Sequence, residues 1–449
     1  VWSVIENDKV QAFFEFFPDL YQYKNEIILY SNDKYSFVPR YFYKKHPMFC
    51  KLLTDEHFKP KPLDTNIEFK KQLRLAQQKA IDKLKIIYNN NGNINGIIKA
   101  IPGFGKTVLS TYIMTLFNTT TLVLIDNEKL MEQWKDCILE YTNIEEDDIG
   151  IIQGTFCPTN KKIYLSMVQT LLSKIKSDLK NYYKYFRGLG IDLIFVDECH
   201  KSVSGKQYVK SSLLFNTPNI IGLSATPFPS EINKILLFNT IGDIIYDNST
   251  YDLKPQYILY KYSSGLGEKY QKQINYLNTI DFTKGRGKYN NIIVNSEPYK
   301  QAILNICQRH PNEKIIIICF TKQQVIDISK YLSDNNIKNI QFYSGQKEVD
   351  KVNDRVLVAT YKYASHGFDY KELAVLIIAT PLSGKTSMIQ ITGRIVRESI
   401  GKTNVYVYDL IDTDFDSSLF NDRIINQKIG IMSKEFLCEI KNIERINNG

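Results

Sequence analysis

Lys99-Ala-Ile-Pro-Gly-Phe-Gly-Lys-Thr107 decides how the rest of this chain is read. The stretch follows the short apolar run Gly96-Ile-Ile98 and precedes a helix-like run from Val108 to Phe117, so it lies where a strand turns into a helix. Phosphate chemistry fits that place. Gly103 and Gly105 let backbone N–H groups come close to anionic oxygens, Lys106 offers an ammonium to the outer phosphates, and the Thr107 hydroxyl can ligate a magnesium ion. One position departs from the pattern G-x-x-x-x-G-K-[ST], because Ala100 stands where the first glycine is expected. Taken alone, the stretch could be an ordinary Gly/Pro turn before a helix.

The composition sets the frame around this loop. A chain of 449 residues is too long for one compact core and predicts two to four domains, and 43% hydrophobic residues make it globular. With 57 Lys+Arg against 48 Asp+Glu the net charge is +9, which suits a polyanionic partner without demanding one. Seven cysteines, scattered and never spaced C-x-x-C, argue against a disulfide framework and a zinc site, and so for a reducing, cytoplasmic setting. Runs such as Ile315-Ile-Ile-Ile-Cys-Phe320 and Leu373-Ala-Val-Leu-Ile-Ile-Ala379 fall far short of a membrane span, and the N-terminal residues do not have the pattern of a signal peptide.

Downstream of the loop, apolar runs of strand length alternate with helix-like stretches: Thr121 to Ile125, Ile163 to Val168, Ile191 to Val196 and Ile220 to Ala225. That alternation predicts a parallel sheet with helices on both faces. The third run ends in Asp197-Glu-Cys-His200. Two carboxylates at the end of a buried strand, in the sheet that carries the phosphate loop, have a chemical reading: Asp197 holds magnesium and Glu198 polarises the attacking water. Upstream, Phe69 to Ile87 predicts an amphipathic helix, and residues 1 to about 65 a small separate module. Its runs Ile27-Ile-Leu-Tyr30 and Tyr35-Ser-Phe-Val38 flank the turn residues Ser31-Asn-Asp33, which predicts a hairpin. Its many aromatics either fill a core or, with Arg40, Lys44 and Lys45, meet bases and phosphates.

A second ladder follows: Tyr257 to Tyr262, Ile315 to Phe320, Ile340 to Tyr343, Val356 to Thr360, Ala374 to Thr380 and Val405 to Leu410. The polar stretch 263–296, with Lys284, Arg286 and Lys288, reads either as an inserted basic loop touching nucleic acid or as a surface excursion. Ser383-Gly-Lys-Thr386 lacks the Gly-x-Gly approach of the first loop and reads as an ordinary loop. In Gln390-Ile-Thr-Gly-Arg-Ile-Val-Arg397, arginines three apart share a helical face, so Arg394 and Arg397 can address one anionic target.

Together these blocks resemble a superfamily 2 helicase of the DExH kind over residues 69 to 410. Leu73-Arg-Leu-Ala-Gln77 resembles the adenine-reading Q motif, and Ala100 to Thr107 resembles motif I, which in this superfamily commonly starts with Ala. Val123 to Trp134 resembles motif Ia, Ser166 to Thr170 motif Ib, Asp197 to His200 motif II, and Ser224-Ala-Thr-Pro227 motif III. Val356 to Asp369 resembles motif V, and Gln390 to Arg397 motif VI. Gln133-Trp-Lys135, Thr226-Pro-Phe-Pro229 and Gly393 to Glu398 are similar to the subgroup of the poxvirus transcript-release helicase, the T-even phage recombination helicase and the excision-repair translocase.

The resemblance implies an α/β chain with two tandem RecA-like parallel-sheet domains, 66–250 and 251–420, after the small N-terminal module and before a tail, 421–449. It implies ATP and Mg2+ as cofactors and ATP-driven movement on nucleic acid, DNA more than RNA, with strand separation. The alternatives are a double-stranded DNA translocase, an RNA helicase, and an ATPase-inactive clamp. It assigns catalysis to Lys106, Asp197, Glu198, Arg394 and Arg397, and metal binding to Thr107 and Asp197. Nucleotide contacts fall to Arg74, Gln77, Gly103, Phe104, Gly105, Gly367, Asp369 and Gln390. His200, Ser224, Ala225 and Thr226 are the coupling residues, and Gln133, Trp134, Thr170 and Thr360 the nucleic-acid contacts. A monomer, a place in the cytoplasm or a viral factory, and transcription or replication machinery as partner complete the expectation.

Overall fold

The computed structural model describes the chain apart from residues 1, 54–61, 205–213, 216, 229, 250, 252, 267–268, 271, 274–275, 277–281, 344–353, 366–369, 371, 383, 397–398, 400–401, 416–418 and 445–449. Two compact units result, Val1–Ser249 and Thr250–Gly449.

The first unit is built on a seven-stranded sheet. Its strands are β5 (Asn95–Ala100), β6 (Thr121–Ile125), β7 (Ile149–Ile152), β8 (Ile163–Met167), β9 (Leu193–Val196), β10 (Asn219–Ser224) and β11 (Ile244–Asn248). They run in the order β11-β5-β10-β9-β6-β8-β7, and every pairing is parallel. Helices cover both faces of such a sheet, which explains why β6, β9 and β10 are buried at every residue and read as unbroken apolar runs. Ile149-Gly-Ile-Ile152 and Ile244 to Asn248 add two edge strands that the apolar runs did not announce. The helix expected from Phe69 begins at Leu75 and runs to Asn91.

Residues 2–53 form their own antiparallel sheet, in the order β2-β3-β1-β4, from β1 (Trp2–Glu6), β2 (Tyr30–Ser31), β3 (Tyr35–Val38) and β4 (Cys50–Leu53). The hairpin forms where Asn32 Oδ1 accepts the N–H groups of Lys34 at 3.0 Å and Tyr35 at 2.7 Å. Ile27 belongs to a helical turn, Lys24–Ile27, so the preceding strand is only two residues long. Phe13, Phe14 and Phe42 fill the small core with Ile5 and Val38, while Phe16 is exposed. Arg40 is not a surface cation. It is buried and its two terminal nitrogens donate to the carbonyls of Phe215 and Thr217, fastening this sheet to the segment that leads into β10.

The second unit repeats the plan with β12 (Gln256–Tyr262), β13 (Lys314–Cys319), β14 (Asn339–Phe342), β15 (Val356–Thr360), β16 (Leu373–Ile378), β17 (Tyr406–Asp412) and β18 (Glu439–Glu444). Its order is β14-β15-β13-β16-β17-β12-β18, again wholly parallel. Residues expected to form a tail instead supply a helix, Leu419–Phe436, and the edge strand β18. The stretch 263–296 ends in a helix, Phe282–Ile293, whose Tyr289, Ile292 and Ile293 join the core rather than a loop. Gly384 caps the helix Lys385–Ile395, and Lys385 pairs with Glu435, so that second Gly-Lys-Thr has its lysine engaged by an acid.

Candidate active site

In a wholly parallel sheet all C-terminal strand ends lie on one edge, and ligand sites gather there. In the first unit that edge carries the loop after β5, the carboxylates after β9 and Ser224 at the end of β10, and β10 lies between the other two strands.

Gly103 and Gly105 take φ of 87° and 83°, the left-handed region that side chains disfavour, and Gly105 caps the helix Lys106–Phe117. The free N–H groups of that first helical turn make an anion site. Ala100 is the last residue of β5, in extended backbone open to any residue, and its carbonyl accepts Lys106 Nζ at 3.1 Å. The missing glycine therefore imposes no strain. Gln77 grips the same loop: Nε2 donates to the carbonyls of Phe104 and Gly105, each at 3.1 Å, and Oε1 accepts the Arg74 N–H at 2.9 Å. Both its donors are spent on the loop, and Arg74 Nη1 adds a bond to the Gly103 carbonyl at 3.2 Å. Both residues hold the loop in shape, and Arg74, which is exposed, keeps most of its guanidinium on the surface beside it.

Asp197 follows β9 and is nearly buried. Its Oδ2 accepts the Trp134 indole N–H at 2.8 Å and its Oδ1 accepts the Glu198 N–H at 2.9 Å. Burial and then the charge of Glu198 raise its carboxyl to about 6, against the pull of Trp134 and the Lys106 ammonium. Glu198 has a φ of 42°, a left-handed backbone in a non-glycine residue of the kind that collects at working sites. Its Oε2 lies 3.2 Å from His200 Nδ1 but completes no hydrogen bond among the described residues. The same Nδ1 sits 2.8 Å from Ser224 Oγ, which accepts the Thr226 N–H at 3.1 Å. Burial lowers the pKa of His200 and favours the neutral ring. Cys199 packs against Gly222, where an added Cβ would stand 3.1 Å from its Sγ, so the glycine leaves the room that the cysteine occupies.

The donor set fits a magnesium-bound nucleoside triphosphate: a left-handed glycine cradle, an ammonium, a helix-terminal hydroxyl at Thr107, one braced carboxylate, and one carboxylate oxygen without a hydrogen bond among the described residues.

The remaining predicted residues fall in different places. Gln133 is exposed on the helix Glu128–Tyr141, Thr170 is half-buried in the first turn of Val168–Leu189, and Thr360 ends β15. Trp134, expected to meet nucleic acid, is 1% exposed and points its N–H at Asp197. Adjacent helical positions point to different faces, so the Gln-Trp pair divides between them, Gln133 outward and Trp134 inward. In the second unit Gln390 and Arg394 are four apart on the helix Lys385–Ile395. Gly367, Asp369 and Arg397 lie outside the described residues.

Residues 70–229 match the family "Type III restriction enzyme, res subunit", and residues 299–399 match the family "Helicase conserved C-terminal domain". The chain carries the two conserved halves of a superfamily 2 helicase. It is similar to a protein of Invertebrate iridescent virus 6 named as helicase 161L, with 24% identity over 77% of this chain and 78% of that protein. It is similar to transcript termination protein A18 of Yaba-like disease virus, with 24% identity over 68% of this chain and 65% of that protein. A third relative is the DNA 3'-5' translocase XPB2 of Sulfurisphaera tokodaii, with 26% identity over 68% of this chain and 75% of that protein. Among solved structures, the type ISP restriction-modification enzyme LlaBIII bound to DNA shares the fold, with a TM-score of 0.56 at 13% identity, over 87% of this chain and 32% of that one. The helicase halves correspond to the two parallel sheets, and no helix of the described residues is long and apolar enough to cross a membrane.

Proposed function

We propose that this superfamily 2 chain is a DNA-stimulated ATPase that uses hydrolysis to move along DNA and separate its strands. One observation carries the reading: the Lys106 loop, the Asp197 and Glu198 carboxylates and the His200–Ser224 contact share one sheet edge, and the Lys106 charge is felt at Asp197. Lys106 and the first-turn N–H groups bind the outer phosphates. Thr107 and Asp197 would hold magnesium, which when bound neutralises phosphate charge as the bond to the leaving group opens. Glu198 orients the attacking water and takes up its proton, and Arg394 and Arg397 are assigned to charge on the transferring phosphoryl group. His200 touches both Glu198 and the Ser224-Ala225-Thr226 turn, so it can report the state of the γ-phosphate to the segment after β10. Gln133, Thr170 and Thr360 are assigned to backbone phosphates, a contact that reads no sequence and weakens with salt.

A relative named as a DNA translocase supports DNA, and a relative of Acanthamoeba polyphaga mimivirus named as an ATP-dependent RNA helicase supports RNA, so the substrate is decided by the assay. The first equally supports a second reading, movement on duplex DNA without strand separation. The test is ATPase turnover with single-stranded DNA, duplex DNA, branched DNA and RNA side by side, followed by strand-displacement and triplex-displacement assays. Strong stimulation by DNA is expected, and turnover indifferent to every nucleic acid would overturn the proposal. Lys106→Ala, Glu198→Gln and Arg397→Ala should each abolish turnover, with ATP binding kept in the Gln variant.

A further inference from the structure

Trp134 is one of two tryptophans in the chain, and its surroundings divide its side chain into two parts with different work. The ring is core. It lies with Met131 and Ile138, from its own helix, in the apolar cluster under the sheet, and its centroid is 6.1 Å from that of Phe195 on β9. The N–H is not needed for that packing, because a phenyl ring would bury there as well. It reaches 63 residues along the chain to Asp197 Oδ2, at 2.8 Å. Phe195 and Asp197 are two apart, so one indole contacts both the strand and the carboxylate that follows it.

The consequence for Asp197 is geometric. Each of its oxygens accepts one N–H, from Trp134 on Oδ2 and from Glu198 on Oδ1, and this fixes the plane of the carboxylate while leaving further lone pairs for a metal or its water. The Glu198 donor is the adjacent residue, which turns with the chain. The Trp134 donor comes from another element and is the only one of the two that can hold the carboxylate against rotation. A second tie joins the same two segments, Lys201 Nζ to Asp126 Oδ2 at 3.3 Å, one residue before the helix cap Asn127.

We propose that Trp134 is the positioning residue of the metal site: its indole N–H orients Asp197 for magnesium and sets the magnesium concentration at which nucleotide is held. The proposal rests on the nucleotide-binding reading given above and is independent of whether DNA stimulates turnover. Outer partners of metal ligands commonly change affinity by roughly 10–100-fold when removed, and that is the size of effect expected here.

Two measurements test it. In a Trp2→Phe chain, Trp134 is the sole tryptophan, and its emission is followed while MgCl2 is added in the presence of the β,γ-methylene analogue of ATP. A saturable change is expected that Asp197→Ala removes, and emission blind to magnesium overturns the proposal. In Trp134→Phe, the magnesium midpoint for binding a fluorescent ATP analogue is read by polarisation. A rise of roughly 10–100-fold is expected, with nucleotide affinity in EDTA nearly unchanged and kcat recovering at high magnesium. A wild-type midpoint overturns it, as does equal loss of binding with and without magnesium, which marks a packing role. If both results hold while DNA fails to stimulate turnover, the motor reading falls and the positioning role stands.

Discussion

Gln77 Nε2 lies 2.6 Å from where a Cβ on Gly105 would stand, and donates to the Gly105 carbonyl at 3.1 Å. A side chain at position 105 would therefore push the glutamine amide off the loop and would have to adopt a φ of 83°. Gly105→Ala should strain the loop by about 1–3 kcal/mol and expel the glutamine amide. Fluorescent-nucleotide titration is expected to show affinity lowered by tenfold or more, with Gln77→Ala falling part of the way. Wild-type affinity in Gly105→Ala would show that the loop is not held this way.

Arg40 makes a second prediction. Its guanidinium is the forked donor between the small antiparallel sheet and the carbonyls of Phe215 and Thr217. Arg40→Met keeps the apolar stem and leaves both carbonyls without that donor, for a loss of about 2–4 kcal/mol. Arg40→Lys should recover little, because one ammonium cannot reproduce a planar fork. Urea denaturation compares the three proteins, and equal midpoints would remove the guanidinium from the docking argument.

How much of this was legible in the sequence differs by element for physical reasons. The ten apolar runs in the two ladders all became strands; nine lie inside their sheets, where burial on both faces demands apolar residues, and the tenth, β14, is an edge strand in which only Phe342 is buried. Glu439 to Glu444 reads as a polar tail, since an edge strand has less to bury and only Ile440 is seen to pack against the core. The loop, Asp197, Glu198 and His200 were legible because their chemistry fixes their spacing. The inward partners of Gln77, Arg40 and Trp134 were not legible, for one shared reason. Each is a polar group turned inward to a backbone or carboxylate partner between 27 and 177 residues away, and no local pattern announces such a partner.

Asp412, at the end of β17, gives a pH dependence. It is fully buried, Oδ1 accepts the N–H groups of Ser264 and Asp414, each at 3.1 Å, and Oδ2 has no hydrogen-bond partner among the described residues. Burial raises its carboxyl from 3.8 to about 6, so the folded state prefers the protonated acid. Its contribution is complete below about pH 4 and declines as pH rises toward and past 6, by ~3 kcal/mol. Asp412→Asn keeps the acceptor and carries no charge. Urea midpoints should favour the variant at pH 8 and differ little at pH 4, and a constant difference across that range would refute the assignment.

Lys428 and Asp409 decide whether the C-terminal helix is part of the second unit or merely lies on it. Lys428 Nζ is 2.8 Å from both oxygens of Asp409, the Tyr257 hydroxyl donates to Oδ2 at 2.6 Å, and the ammonium and carboxylate are almost wholly buried. The pair joins the helix Leu419–Phe436 to β17, and Tyr257 ties in β12. Lys428→Met leaves a buried carboxylate with one neutral donor and should cost about 3–5 kcal/mol. Replacing all three groups together, Tyr257→Phe, Asp409→Leu and Lys428→Met, removes the charges and every orphaned partner, and the stability should return to near wild type. Met432 and Phe436 on the same helix are buried in the core, so apolar contact is already in place to hold it once the charges are gone. Denaturation midpoints of the single and triple variants make the comparison. A triple variant no more stable than Lys428→Met would mean that the ion pair itself, and not the cost of stranding one half of it, holds the helix to the sheet.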